Sequence, residues 1–149
     1  VSLGDTAESD LLVLLFQNVA WANVGDATGL RATTTAGSFY VSLHTATLTD
    51  TAAQNTSEAA YGSYARVAVA RSSAGWTKSG TSPTQVANTS ATTYPACTSG
   101  SETETYFVVG RDSSSAGEAL WIGALTSSLA VSNGITPSFG AAALVCTMD

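Results

Sequence analysis

Tyr64-Ala65-Arg66-Val67-Ala68-Val69-Ala70-Arg71 sets the architecture expected of this chain. Val67 to Ala70 is unbroken apolar sequence, β-branched at every second position, and Ser72-Ser73-Ala74-Gly75 closes it with turn residues. Such a run reads as a strand buried on both faces or nearly so. Arg66 and Arg71 bracket it and are expected to mark where it meets water. With this strand at its centre, the chain reads as a β-sandwich.

Outward from that segment the pattern repeats. Ser38 to His44 alternates, with Phe39, Val41 and Leu43 on one face and Tyr40, Ser42 and His44 on the other. Gly75 to Gln85 reads as a short strand and turn through Trp76, Lys78, Gly80 and Pro83. Val86 to Ala96 alternates weakly, and Pro95 suits an edge or a strand end. Thr103 to Gly110 is a strand with a polar start and a buried end. Ala119 to Leu125, with Trp121 in the core, is another. Ser127 to Val131 and Ile135 to Phe139 flank Asn133-Gly134, a strong hairpin signal because both residues tolerate positive φ. Ala141 to Met148 closes the series. Seven to nine short strands with regular turn signals predict a mainly β chain, an antiparallel β-sandwich or barrel-like fold. It reads as one domain over 1–149, with an N-terminal helix within 1–22 and the sandwich over 38–149.

The helix rests on Leu11, Leu12, Leu15, Phe16 and Val19 at helical spacing. Asp5 or Thr6 is placed to cap it, with Glu8 and Asp10 in the first turn, where the dipole favours acids. Val13 and Leu14 widen the apolar stripe beyond what a surface helix needs. Asn23 to Gly37 and Thr45 to Ala60 read as long polar loops, the first with turn signals at Gly25-Asp26 and Thr28-Gly29.

Composition limits the function. Charged residues are 11% of the 149, against about 25% in typical soluble proteins. Ser and Thr together exceed a quarter of the chain, so hydroxyls rather than ions cover the surface. Five basic residues and a net charge of −6 do not make a phosphate-tracking groove or a polybasic membrane patch. The longest strongly apolar run, Leu11 to Phe16, is far below the roughly 20 residues that cross a bilayer. No basic segment precedes it, so it does not read as a secretory leader. Two cysteines, Cys97 and Cys146, and the single His44 do not make a typical zinc site. The cysteines read as buried free thiols on strands, with a Cys97–Cys146 disulfide as the alternative that sequence leaves open.

Nucleophilic catalysis needs a base beside the nucleophile. His44 sits on a strand and reads as structural. Glu102 and Glu104 lie two apart on one strand face and read as solvent-facing acids rather than a glycosidase pair. The expectation is therefore of a non-enzyme with no cofactor and no metal. Leu11, Leu14, Leu15, Phe16, Trp21 and Trp76 are the candidate assembly contacts. Trp76 reads as a core or interface residue, with a contribution to a sugar-binding face as the alternative.

Several segments together resemble a known family. Phe39-Tyr40-Val41-Ser42-Leu43-His44-Thr45-Ala46 is followed by Tyr61-Gly62-Ser63-Tyr64-Ala65-Arg66-Val67-Ala68-Val69. Then come Tyr106-Phe107-Val108-Val109-Gly110, Gly123-Ala124-Leu125-Thr126, Ser132-Asn133-Gly134-Ile135-Thr136-Pro137-Ser138-Phe139 and Ala142-Ala143-Leu144. In this order they resemble a family of small tailed-bacteriophage virion proteins, often called tail-fibre-like. The resemblance implies a structural protein of the virion without catalytic residues. The reading is a capsid decoration or cement protein binding the major capsid protein, expected to be a homo-oligomer. The alternative is a tail component, fibre, baseplate or receptor-binding protein, contacting other tail proteins and the host surface.

Overall fold

The computed structural model describes residues 3–81 and 84–148. The start of the helix region at residues 1–2 and the expected turn at Pro83 lie outside the described residues. Helix α1 spans Asp5–Gln17. Nine strands follow among the described residues: β1 Ser38–His44, β2 Val67–Ala70, β3 Trp76–Ser79, β4 Thr84–Asn88, β5 Thr92–Thr93, β6 Ser101–Gly110, β7 Ala119–Ser132, β8 Ser138–Phe139 and β9 Val145–Met148. They form sheets ordered β2-β1-β6-β7, β3-β4-β9 and β5-β8. The chain is thus mainly β with antiparallel sheets and one N-terminal helix, and the sheets do not close into a barrel. Two compact units are interleaved along the sequence: 1–38, 69–91 and 140–149 in the first, 39–68 and 92–139 in the second.

The second unit is built on β1, not on β2. β2 lies at the edge of its sheet, with Val67 and Val69 half-buried and Ala68 and Ala70 exposed. It was expected at the centre because its apolar run is continuous, but alanine satisfies either side of an edge strand. β1 is the strand covered on both faces. Phe39, Val41 and Leu43 are buried on one side, and Ser42 and His44 are fully buried on the other. The polar face is closed by the 45–60 loop, whose Gln54 donates from Nε2 to the Tyr40 carbonyl at 3.0 Å. The same side chain accepts from the Asp112 amide at 3.2 Å. Gly110, paired with Tyr40 across the ladder, leaves the space that Gln54 fills; a Cβ there would run into the Gln54 amide group.

β1 pairs antiparallel with β6, matching Val41 to Val109 and Leu43 to Phe107. Gly123 on β7 stands opposite Phe107, and the Phe107 ring covers the glycine backbone. β7 joins two expected strands into one. Glu104 pairs with Leu129 and Tyr106 with Ala124, so Leu125, Thr126, Ser127 and Ser128 stand opposite Thr105 alone. This excursion is an irregular bulge, larger than the usual two-against-one kind, in an edge strand. The Asn133-Gly134 turn forms, with Gly134 at φ +88° and Ile135 N bonded to Ser132 O at 2.9 Å. Its outgoing strand does not fold back on β7. Cys97 N bonds to Ile135 O at 2.8 Å and Tyr94 N to Pro137 O at 2.9 Å, and β8 pairs with β5.

In the first unit, α1 packs on β3 and β4. Glu8, Leu12 and Phe16, one helical turn apart, are its buried line, as i, i+4 spacing requires. Leu11, Val13, Leu14 and Leu15 are half-buried. Gly4 occupies the N-cap without a side-chain bond, so Asp5 and Thr6 lie inside the helix rather than capping it. At the other end Asn18 takes the left-handed conformation (φ 56°). The last turn has no basic residue of its own. Arg71 supplies one, donating from Nε to the Leu15 carbonyl and from Nη2 to the Leu14 carbonyl, and from Nη1 to Ala36 O. A guanidinium on the last carbonyls satisfies orphan acceptors and offsets the negative end of the helix. Arg71 therefore does not mark the water boundary expected of it.

Gly110→Ala is expected to destabilise the protein by about 2 kcal/mol, since the Gln54 side chain must shift and break its bonds. Urea denaturation of the two proteins measures this, and an unchanged midpoint would contradict the packing described.

Candidate functional site

His44 is fully buried. Its Nδ1 faces the Thr56 carbonyl at 2.8 Å, and its Nε2 faces the Ser42 hydroxyl at 2.8 Å. A carbonyl only accepts, so Nδ1 carries the proton and Nε2 accepts from Ser42. Burial lowers the pKa of the imidazole and keeps it neutral. The Ser–His pair has catalytic atoms but no path for a substrate, because both side chains are sealed. Its role is to hold the 45–60 loop on β1.

Arg66, also expected at the water boundary, has a side chain only 2% exposed. It grips Glu58 with two parallel bonds of 2.7 Å, from Nε and Nη2. Its Nη1 donates to Asp112 O at 2.8 Å and Nη2 to Ser115 O at 2.7 Å. Tyr64 completes the cluster, donating to Glu58 at 3.0 Å while its oxygen accepts from Leu43 N at 3.0 Å. The bidentate pair raises the Arg66 pKa, and burial raises that of Tyr64. This network ties the 45–60 loop, β1 and the Ser113-Ser114-Ser115 turn together. A shallow cavity of about 300 Å³ lies over it, with every charged group below already paired.

Glu102 and Glu104 share a strand face as expected, but that face turns inward. Glu102 accepts at 2.9 Å from both Ala60 N and Tyr61 N. Glu104 is fully buried. No donor reaches either of its carboxyl oxygens, and the Tyr94 hydroxyl is also without a partner. Burial, then repulsion from Glu102, raises its pKa from 4.5 to about 8. Since a carboxylate can only accept, the pair is satisfied when Glu104 keeps its proton and offers it to Glu102. The two acids form a buried acid pair, shut away from any substrate.

The remaining residues singled out from sequence scatter. Phe16 and Trp76 are both fully buried and meet edge to face at 4.7 Å. They belong to the core of the first unit and offer no assembly surface; for Trp76 this is the core reading, and its burial leaves no sugar-binding face. Leu11, Leu14, Leu15 and Trp21 are half-buried, and Trp121 lines a cavity of about 360 Å³ with Leu48, Asp50 and Tyr106 rather than sitting in the core. Cys97 and Cys146 are free and buried; Cys146 lies on β9, as expected, and Cys97 in irregular chain between β5 and β6 rather than on a strand. Among the described residues no three His, Cys, Asp or Glu side chains come together, and no helix is long and apolar enough to cross a membrane.

Sequence reading missed one candidate surface, the segment 18–33. It is a closed hairpin rather than an open loop. Trp21 and Leu30 exchange two backbone bonds of 2.9 Å. Asp26 accepts first from the Thr28 hydroxyl, and also from Thr28 N at 2.8 Å and Gly29 N at 3.1 Å, and these bonds lower its pKa. Gly29 has φ +65°, and a Cβ there would strike the Trp21 backbone. Asn18 clamps the base, bonding Thr33 N, Oγ1 and O at 2.8–2.9 Å. The Gly-Asp and Thr-Gly turn signals were legible; the long-range clamp from Asn18 to Thr33 was not.

Two outcomes follow. Arg66→Ala should cost about 3 kcal/mol, because Glu58 and two carbonyls lose their shared donor; equilibrium unfolding reads the loss. For Glu104 the folded chain holds its proton more tightly than the unfolded chain. Its contribution is therefore fully present below about pH 4.5 and is lost as pH rises toward about 8. Urea midpoints should fall across that interval in the wild type. Glu104→Gln should flatten the trend, and a parallel trend in both proteins would refute the assignment.

No curated protein matches the chain. A family model described as podophage GP4 fiber I protein gp80 matches residues 2–147. That match runs through both units and takes in the hairpin as well as the buried polar clusters, so the chain belongs to this family of podophage fibre proteins.

Proposed function

We propose that the protein is a non-enzymatic structural component of the phage tail, of fibre type, which contacts other tail proteins and the host surface. The observation that carries this is the family match over residues 2–147. It favours the tail over the capsid-decoration role that a charge-poor, hydroxyl-rich surface first suggests. The interior supports a non-catalytic role: His44 and the Glu58–Arg66 pair are bonded to neighbouring side chains and backbone, and Glu104 is sealed from solvent. Self-association into a symmetric oligomer belongs to the same reading, since repeated parts of a particle are built by symmetry.

Antibody-gold labelling of intact particles, with copy number from quantitative mass spectrometry, tests the location. Labels at one end of the particle and a small number of copies are expected. Hundreds of copies spread over the shell would return the protein to capsid decoration.

A further inference from the structure

The acid pair on β6 fastens the chain beside it. Glu102 is half-buried and takes the Ala60 and Tyr61 amides on one oxygen, Oε1, at 2.9 Å each. Its other oxygen is not spent on the backbone. Glu104, two residues on, is fully buried, and no N–H or O–H of another residue reaches either of its oxygens. Its own proton therefore goes to Glu102, and two carboxyls share one negative charge. Tyr61, Tyr94 and Cys97 are the titratable side chains around the pair, with Tyr64 and Glu58 behind Tyr94. On β7 the acids stand opposite Val131 and Leu129. Each of these groups is neutral or acidic. Arg66, the cation of that corner, is committed to Glu58 through two bonds.

Taking the shared proton away leaves two carboxylates on one strand face and a buried Glu104 without a donor. Both effects are costly in the interior, and water is the donor that relieves them. Ala60 is exposed, so the stretch that Glu102 holds lies at the surface. Its flanks are fixed by bonds that do not titrate, Ala59 N to Leu43 O and Gly62 N to Ser99 O, both 2.8 Å. Between them the Ala60 and Tyr61 amides depend on Glu102. We propose that Glu102 and Glu104 form a proton-operated latch. Sharing one proton, they hold the Ala60–Tyr61 segment on β6; passing that proton to a base in solution releases the segment and admits water to Glu104. No covalent bond other than the O–H changes. Burial and the Glu102 charge put the release near pH 8, so the segment is held at neutral pH and freed above it. The opening is local, because His44, Gln54 and the Arg66–Glu58 pair still hold the 45–60 loop. The latch belongs to the fold itself and does not depend on whether the chain serves in the tail or on the shell.

The test is a pH titration of the full chain, labelled with ¹³C and ¹⁵N, followed by NMR. The Glu104 carboxyl carbon reports its ionisation. Amide exchange of residues 59 to 62, divided by the intrinsic rate at each pH, reports the latch. The Glu104 carbon should titrate with a midpoint near 8. Protection of the Ala60 and Tyr61 amides should fall about tenfold or more through the same midpoint, while Ala59 and Gly62 keep theirs. Glu104→Gln keeps a neutral donor beside Glu102, so its Ala60 and Tyr61 protection should stay level over the whole range. Glu102→Gln removes the repulsion, so the Glu104 midpoint should fall and the two amides should stay held after Glu104 ionises. The wild-type titration decides the matter even if a variant does not fold. The latch is overturned if Glu104 ionises in the ordinary carboxylate range, or if Ala60 and Tyr61 stay protected once it has ionised. It is overturned equally if all amides lose protection together, since the whole fold then opens, or if folded Glu104→Gln loses the two amides in step with the wild type.

Discussion

The inner face of β1 carries Ser42 and His44 where an ordinary sheet would carry valine, and the fold depends on giving those groups partners away from water. An unpaired buried polar group costs about 1–3 kcal/mol. The 45–60 loop removes that cost by bringing the Thr56 carbonyl to His44 and the Gln54 amide to Tyr40 and Asp112. Because the loop is needed to close β1, its own course is fixed. Gly110 is then required for the space that Gln54 occupies, and Arg66 with Glu58 pins the far side of the same loop.

Few charges are present, and the structure uses several of them as internal ties. Arg66 and Arg71 flank a short edge strand and reach inward in opposite roles. One neutralises a buried carboxylate and two loop carbonyls, and the other closes the end of a helix. Both bond mainly to backbone carbonyls or to a single acid, a geometry the planar guanidinium suits better than an ammonium would. Glu104 is the opposite device: a carboxyl kept neutral in the interior, beside the Glu102 that fastens the Ala60–Tyr61 backbone.

What was legible in the sequence was local. Alternation at Phe39-Val41-Leu43, the helical spacing of Leu12 and Phe16, the Asn133-Gly134 turn and the general β character all follow from short-range pattern, and the ordered run of motifs led to the right family. The failures share a cause. Val67–Ala70 looked central because continuous apolar sequence does not say how many neighbours a strand has. Glu102 and Glu104 looked solvent-facing, and the bonds of Ser42 and His44 went unforeseen, because their partners lie in loops or on other strands that no period reveals. Phe16 and Trp76 looked available for assembly because two aromatics sixty residues apart give no sign that they meet. The stretch from Asn23 to Gly37 looked like a long loop because the clamp that closes its first part, Asn18 to Thr33, is a single side chain.

The four-residue excursion at Leu125–Ser128 has a bearing on solubility. With charged residues at only 11% of the chain, few of them are available to guard a strand edge. A long, regular outer strand rich in alanine, leucine and hydroxyls would offer its free amides to the next molecule and seed a stack. Here the break in pairing spoils the template on one flank, and brevity does so on the other. Backbone shape thus guards sheet edges that few charges protect.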